Sequence, residues 1–173
     1  MPLAALLKDR TDAFTLNRLS TVGEGAKPQM PEKTAFESFL WEYDEAVSRN
    51  PKMGLKDNLS NIIRHGKSVE PFGGCTGHGC GAAFNFLALL PDGEVHACGK
   101  FPSRIGNITR DGLHDIYRSD LAERYRAGSL ACPNCRLNLV CRGCLAIAYS
   151  LGLDVFTDKD PFCFASRQIT GEE

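Results

Sequence analysis

Long apolar runs are missing from this sequence. Neither the patch from Phe84 to Leu90 nor the one that ends at Tyr149 to Leu153 approaches the roughly eighteen residues that a bilayer-spanning helix takes. An excess of charge of one sign is missing too: 20 Lys and Arg stand against 21 Asp and Glu, a net charge of -1 at pH 7. No global pull toward nucleic acid or an anionic membrane surface follows from that balance, so neither is expected as a partner. Met1-Pro-Leu-Ala-Ala-Leu-Leu runs straight into Lys8-Asp-Arg without a basic n-region, so no secretion signal is expected and the chain is expected to be cytoplasmic. With 43% apolar and 24% charged residues the composition is globular, not disordered, and 173 residues suit one domain, or one domain with a fragment of a second.

Cysteine, by contrast, is plentiful. Four of the eight thiols fall in Cys132-Pro-Asn-Cys135-Arg-Leu-Asn-Leu-Val-Cys141-Arg-Gly-Cys144, and the others are Cys75, Cys80, Cys98 and Cys163. A cysteine used for packing sits singly on an apolar face, whereas these crowd a polar, Arg-rich loop. Where thiols are kept reduced, such spacing points to metal ligands in preference to disulfides.

The rest of the chain predicts a mixture of short elements. Phe14 and Leu16 alternate with polar residues as in a short strand, which must find its partner either later in the chain or outside it. Thr34 and Glu37 form a capping-box pattern ahead of a helix whose stripe is Phe36, Phe39, Leu40, Tyr43 and Val47, ended by Pro51. Leu55, Leu59, Ile62 and Ile63 suggest a second, shorter helix. The glycine-rich run Pro71 to Gly81 has the freedom to wrap a cluster and aim thiolates at it. Ala83 to Leu90, the turn Pro91-Asp-Gly93 and Glu94 to Cys98 read as a β-hairpin. Asp111 to Tyr117 reads as a helical turn with Leu113, Ile116 and Tyr117 on one side. Ser119 is placed as the cap of a helix that stops at Gly128, with the charges from Arg118 to Arg126 as its wet face. Cys144 leads into an Ala-rich helix ended by Gly152, and Gly-Glu-Glu at the end is expected to fray.

These residues carry a resemblance. Cys80, twelve residues, Gly93, four residues and Cys98, then Cys132-x2-Cys135-x5-Cys141-x2-Cys144 and a distant Cys163, resemble the SPASM domain, the auxiliary-cluster domain of radical S-adenosylmethionine enzymes that modify peptides and proteins. Pro91-Asp-Gly93, Ile105-Gly-Asn107 and Gly143-Cys144 agree with it, and Phe14-Thr-Leu-Asn-Arg-Leu with Val22-Gly-Glu-Gly is similar to the last strand and exit loop of the radical enzyme barrel. The resemblance implies an α+β fold: a small cysteine-rich domain with a β-hairpin and short helices around two iron–sulfur clusters, preceded by a barrel remnant and helices. Residues 1–30 would be the remnant, 31–70 a helical connector and 71–170 the SPASM domain. Eight cysteines make two complete sets of four for two [4Fe–4S] clusters. Carried over from the family, Cys75, Cys80, Cys98 and Cys144 would hold cluster I, and Cys132, Cys135, Cys141 and Cys163 cluster II, with Cys141 and Cys144 one helical turn apart yet serving different clusters.

The sequence departs from the family pattern in three places. Only Arg142-Gly143 separates the last two thiols of the central run where many members have three residues, a variant found among haem-synthesis relatives and some peptide maturases. Gly99 stands where sulfatase-maturing members have an acidic residue, so no catalytic base is named. The C-x3-C-x2-C run of the SAM-cleaving cluster is absent from all 173 residues. The chain is therefore expected to be the C-terminal portion of such an enzyme, inactive alone, with a peptide or protein substrate; a separate barrel chain would bring the S-adenosylmethionine. His78 and His96 lie near the cysteines as candidate donors to sulfur, though both read more simply as ordinary loop or strand residues; His65 and His114 have nothing to recommend them. Asn17 and Arg18 would border the cofactor pocket of an intact barrel, but as isolated residues they read as surface groups. Two alternatives remain: a zinc-binding protein-interaction module, since Cys132-x2-Cys135 and Cys141-x2-Cys144 each have zinc-pair spacing, and a secreted chain stapled by disulfides.

Overall fold

The computed structural model describes residues 2–64 and 77–166. Cys75, His65, the first part of the glycine-rich run and the terminal Gly171-Glu-Glu lie outside them. Among the described residues the fold is α+β, with short helices and two small sheets. Among the described residues no helix is long and apolar enough to cross a membrane.

After α1 (Pro2–Leu7), β1 (Phe14–Leu16) finds its partner within the chain: it pairs in parallel with β2 (Met53–Leu55), Phe14 opposite Met53 and Leu16 opposite Leu55. The crossover between them is α2 (Lys33–Arg49), which buries Phe36 and Leu40. Its start differs from the capping-box expectation. Glu32 is the N-cap, its carbonyl accepting from Phe36 N at 3.0 Å, and no side chain caps the end. Thr34 is already the second helical residue, too late to satisfy the first amides. Leu55 belongs to β2, and the following helix is only α3 (Ser60–Arg64). Asp57 sets its start by accepting from Leu59 N at 3.0 Å, a local side-chain bond that competes with a longer helix.

The hairpin forms around the expected turn but with shorter strands, and a third strand joins it. β3 (Ala88–Leu89), β4 (Glu94–His96) and β5 (Arg104–Asn107) make an antiparallel meander. Gly93 takes φ +83, where a side chain is strained. Asn107 Nδ2 donates to Asp92 O at 3.2 Å, so β5 holds the turn from behind. Residues 83–87 turn instead of extending. Ala83 has φ +53, and its carbonyl is taken by Arg126 Nη1 while that of Phe84 is taken by Tyr117 Oη. Arg126 is therefore no part of a wet face, and Arg124 lies 3.9 Å over the Phe156 ring.

α4 (Leu113–Tyr117) buries Ile116 alone, leaving Leu113 exposed, and α5 (Asp120–Ala127) starts at Ser119, whose hydroxyl accepts from Ala122 N. Two apolar cores result. The first gathers Val95, Ala97, Phe101, Ile105, Ile116 and Tyr125 under the meander; the second gathers Phe36, Leu40, Leu59, Ile63, Leu137 and Phe162 around α2 and α3. α6 (Leu145–Ser150) is their common wall, sending Leu145, Ala146 and Ala148 into the first and Ile147 into the second.

Candidate metal centre

The two cores share the cysteines between them. Cys98 lies in the first, with Cys80 and Cys144 packed against it; Cys141 lies in the second, with Cys135, Cys144 and Cys163 packed against it. Their mutual electrostatics divide them into two groups: Cys80 with Cys98 and Cys144, and Cys135 and Cys163 with each other and with Cys132 and Cys141. We call these set one and set two. No disulfide joins any two of the seven described cysteines.

The backbone between Cys141 and Cys144 is what sends them to different sets. It is not a helical turn: Arg142 has φ +58 and Gly143 φ +64, so two successive residues take the left-handed conformation, at about 1–2 kcal/mol for the arginine. A Cβ on Gly143 would stand 2.7 Å from Asp160 Cβ, which makes glycine the residue that fits. Asn58 Nδ2 holds Gly143 O at 2.8 Å and Asn61 Nδ2 holds Val140 O. Cys80 N donates to Cys141 O at 3.1 Å, tying a set-one cysteine to the backbone of a set-two cysteine.

All four thiols of set two line one small cavity of about 20 Å³, together with Leu137, Asp160 and others. Burial pushes the Cys132 thiol to about 11 and, in set one, the Cys144 thiol to about 11; Cys80, Cys141 and Cys163 are raised for the same reason. A bound cation reverses that logic, because ligating thiols are deprotonated.

Several groups are already placed to receive thiolate. Gly143 N donates to Cys141 Sγ at 3.4 Å, and the backbone amides of Ala82 and Leu145 favour thiolate at Cys80, that of Ile147 at Cys144 and that of Ala165 at Cys163. Amide bonds to sulfur are a chief means by which proteins hold and tune iron–sulfur clusters. Arg142 donates through its terminal nitrogens to Arg126 O and His78 O, while its buried Nε has no hydrogen-bond partner among the described residues. Among the described residues no three Cys, His, Asp or Glu side chains converge closely enough to hold one ion as they stand. Set two presents four thiols to one cavity, the donor number taken both by a [4Fe–4S] cluster and by a structural zinc ion.

Other singled-out residues have different roles. His96 Nδ1 accepts from Ser103 N at 3.0 Å and its Nε2 meets Glu94 at 3.1 Å, so the ring serves the meander. His78 lies against Phe84, and His114 is exposed beside Asp115. Asn17 accepts from Lys100 Nζ. Arg18, expected at the surface, is 6% exposed. Its guanidinium meets Asp160 at 2.7 Å and Asp57 at 2.8 Å and lies against the rings of Phe36 and Phe162. Burial alone would lower its pKa, but Asp57 and then Asp160 outweigh burial and raise it. Neither carboxylate stands out in the sequence; the nearest signal is that Asp160 precedes Cys163 by three residues.

A curated relative, the AdoMet-dependent heme synthase of Nitratidesulfovibrio vulgaris, is 26% identical over 161 residues, covering 84% of this chain and 44% of the relative. The chain thus spans less than half the length of the relative it matches. No solved structure matches. The segment that carries six of the eight cysteines, residues 80–145, matches the family model of SPASM, an iron–sulfur cluster-binding domain, which relates this chain to the radical SAM proteins.

Proposed function

We propose that the chain binds two [4Fe–4S] clusters as the C-terminal portion of a radical SAM enzyme, in the cytoplasm, serving substrate binding and electron relay. Cys75, Cys80, Cys98 and Cys144 would hold cluster I, and Cys132, Cys135, Cys141 and Cys163 cluster II. The observation that carries this reading is the interleaving: Cys141 lines one cavity with Cys132, Cys135 and Cys163, while Cys144, three residues on, packs with Cys80 against the first core. When bound, such clusters supply one-electron transfer at potentials set by their surroundings. The chain's own contribution is to enclose them, direct amides at their sulfurs and exclude water through the two cores.

The substrate is proposed to be a ribosomal peptide or protein. A tetrapyrrole is the second reading, favoured by the heme synthase relative. No C-x3-C-x2-C run occurs in these 173 residues, so cleavage of S-adenosylmethionine would fall to a barrel supplied elsewhere, in a longer form of the polypeptide or a partner chain. Anaerobic purification and reconstitution with iron, sulfide and zinc analysis tests the cluster reading: about eight irons per chain are expected. About four irons would reduce the proposal to one cluster, and two zinc ions in a colourless protein would overturn it. Quenching of a tetrapyrrole's fluorescence by the loaded protein, with no binding of a model peptide, would move the substrate to the second reading.

A further inference from the structure

Asp160 stands between the two thiol sets. Its Oδ2 accepts from Cys144 N at 2.9 Å, its Oδ1 from Phe162 N at 3.0 Å, and its backbone carbonyl from Cys163 N at 2.9 Å. Its side chain is 2% exposed, lines the cavity of set two, and acts electrostatically on Cys132, Cys141, Cys144 and Cys163. The same carboxylate takes two hydrogen bonds from Arg18, at 2.7 and 3.0 Å, and Arg18 in turn meets Asp57, which also caps α3. One cation and two anions are thus enclosed together. Apolar residues of similar volume would build a wall here at no cost in buried charge. The stabilising role alone leaves the excess negative charge without a reason.

We infer that Asp160 is a positioning residue common to both clusters, holding the Cys144 and Cys163 backbones in register and lowering both reduction potentials by its charge, with Arg18 and Asp57 fixing where that charge lies. The inference rests on the cluster reading above and deepens it. A negative charge beside a cluster opposes the arrival of an electron, and net charge and hydrogen bonding near the sulfurs are established determinants of potential. Arg18 arrives from the segment after β1, Asp57 from the start of α3 and Asp160 from the last described loop, so three distant parts of the chain meet at this charge.

The test is redox titration of the reconstituted full chain, followed by electron paramagnetic resonance, with melting temperature read in parallel. Asp160→Asn keeps the size and one acceptor oxygen but removes the charge, and both midpoint potentials should move positive. Asp57→Asn should move them in the same direction by less, because Asp57 meets Arg18 whereas Asp160 bonds directly to the Cys144 backbone. Arg18→Lys keeps the charge, so the potentials should stay near those of the parent while the melting temperature falls. A purely structural Asp160 would lower melting temperature or iron content and leave the potentials of the loaded clusters where they were, which would overturn the inference. Should Asp160→Asn fail to load, unshifted potentials in loaded Asp57→Asn would overturn it equally. A parent protein without redox-active iron would defeat the cluster reading itself, whereas a loaded parent with unshifted variants defeats only this inference.

Discussion

Set two takes three of its thiols from the ten residues Cys132 to Cys141, whereas the described members of set one, Cys80, Cys98 and Cys144, are spread over 65 residues. The local set lines a cavity, and the exposed Leu130 and Leu139 lie beside it in the chain. The distributed set is packed against a core that the meander, α4 and α5 must first assemble. Closing a short loop costs less chain entropy than closing a long one. Set two therefore has its ligands near one another before tertiary structure forms, while set one depends on the fold for its existence. In exchange, set one is enclosed by the core that creates it.

Separating Cys141 from Cys144 breaks this comparison most directly. Cys141→Ala should remove the set-two cluster and Cys144→Ala the set-one cluster, each halving the iron content while abolishing a different paramagnetic species. Loss of the same species in both would mean that the two thiols serve one centre. The Cys144 variant should also lower the melting temperature more, because set one binds together segments that are far apart in sequence, and metal binding of that kind is part of folding.

A smaller effect separates the sets in time. Under an iron chelator, set two should lose its iron first, since its thiols line a cavity, and set one later, once the first core opens. The loss of visible absorption should then be biphasic, with the set-two signal disappearing in the fast phase. A single phase, or the reverse order, would show that enclosure does not govern access.

How far the sequence disclosed this arrangement depended on how local each feature is. The cysteine density, the Pro91-Asp-Gly93 turn and the Ser119 cap are encoded within a few residues, and each could be read. β5 could not, because Arg104-Ile-Gly-Asn107 becomes a strand only by pairing with Glu94 to His96. The truncation of the first hairpin strand to Ala88–Leu89 was hidden for a similar reason: it depends on Arg126 and Tyr117 taking the carbonyls of Ala83 and Phe84 from positions more than thirty residues away. Arg18 was the largest omission. An arginine beside a short strand reads as surface unless its two carboxylates are known, and these lie 39 and 142 residues further on.

Core truncation sharpens the contrast without touching a thiol. Leu59, fully buried in the second core, and Ile116, 2% exposed in the first, are similar in size. Leu59→Ala and Ile116→Ala should each cost about 2–5 kcal/mol. The chelator reads them apart: Leu59→Ala should hasten the loss of set two, whose cavity Leu59 lines, and Ile116→Ala that of set one. If either variant accelerated both phases alike, the two cores would be one cooperative unit.

The smallest effect compares two helix starts that look alike in sequence. Ser119 lies outside α5, with its hydroxyl accepting from Ala122 N at 3.2 Å and donating to Ile116 O at 2.8 Å. Thr34 lies inside α2 and makes no capping bond. Ser119→Ala removes a partner from an amide that the helix cannot satisfy itself, at about 1 kcal/mol. Thr34→Ala puts the best helix former at a helical position and should stay within about 0.5 kcal/mol of the parent. Because α5 delivers Ala122 and Tyr125 to the first core, the Ser119 variant should also quicken the slow, set-one phase of iron loss, while Thr34→Ala leaves both phases alone. Equal destabilisation by the two substitutions would place the start of α2 at Thr34 after all and remove one of the differences between the two halves of the molecule.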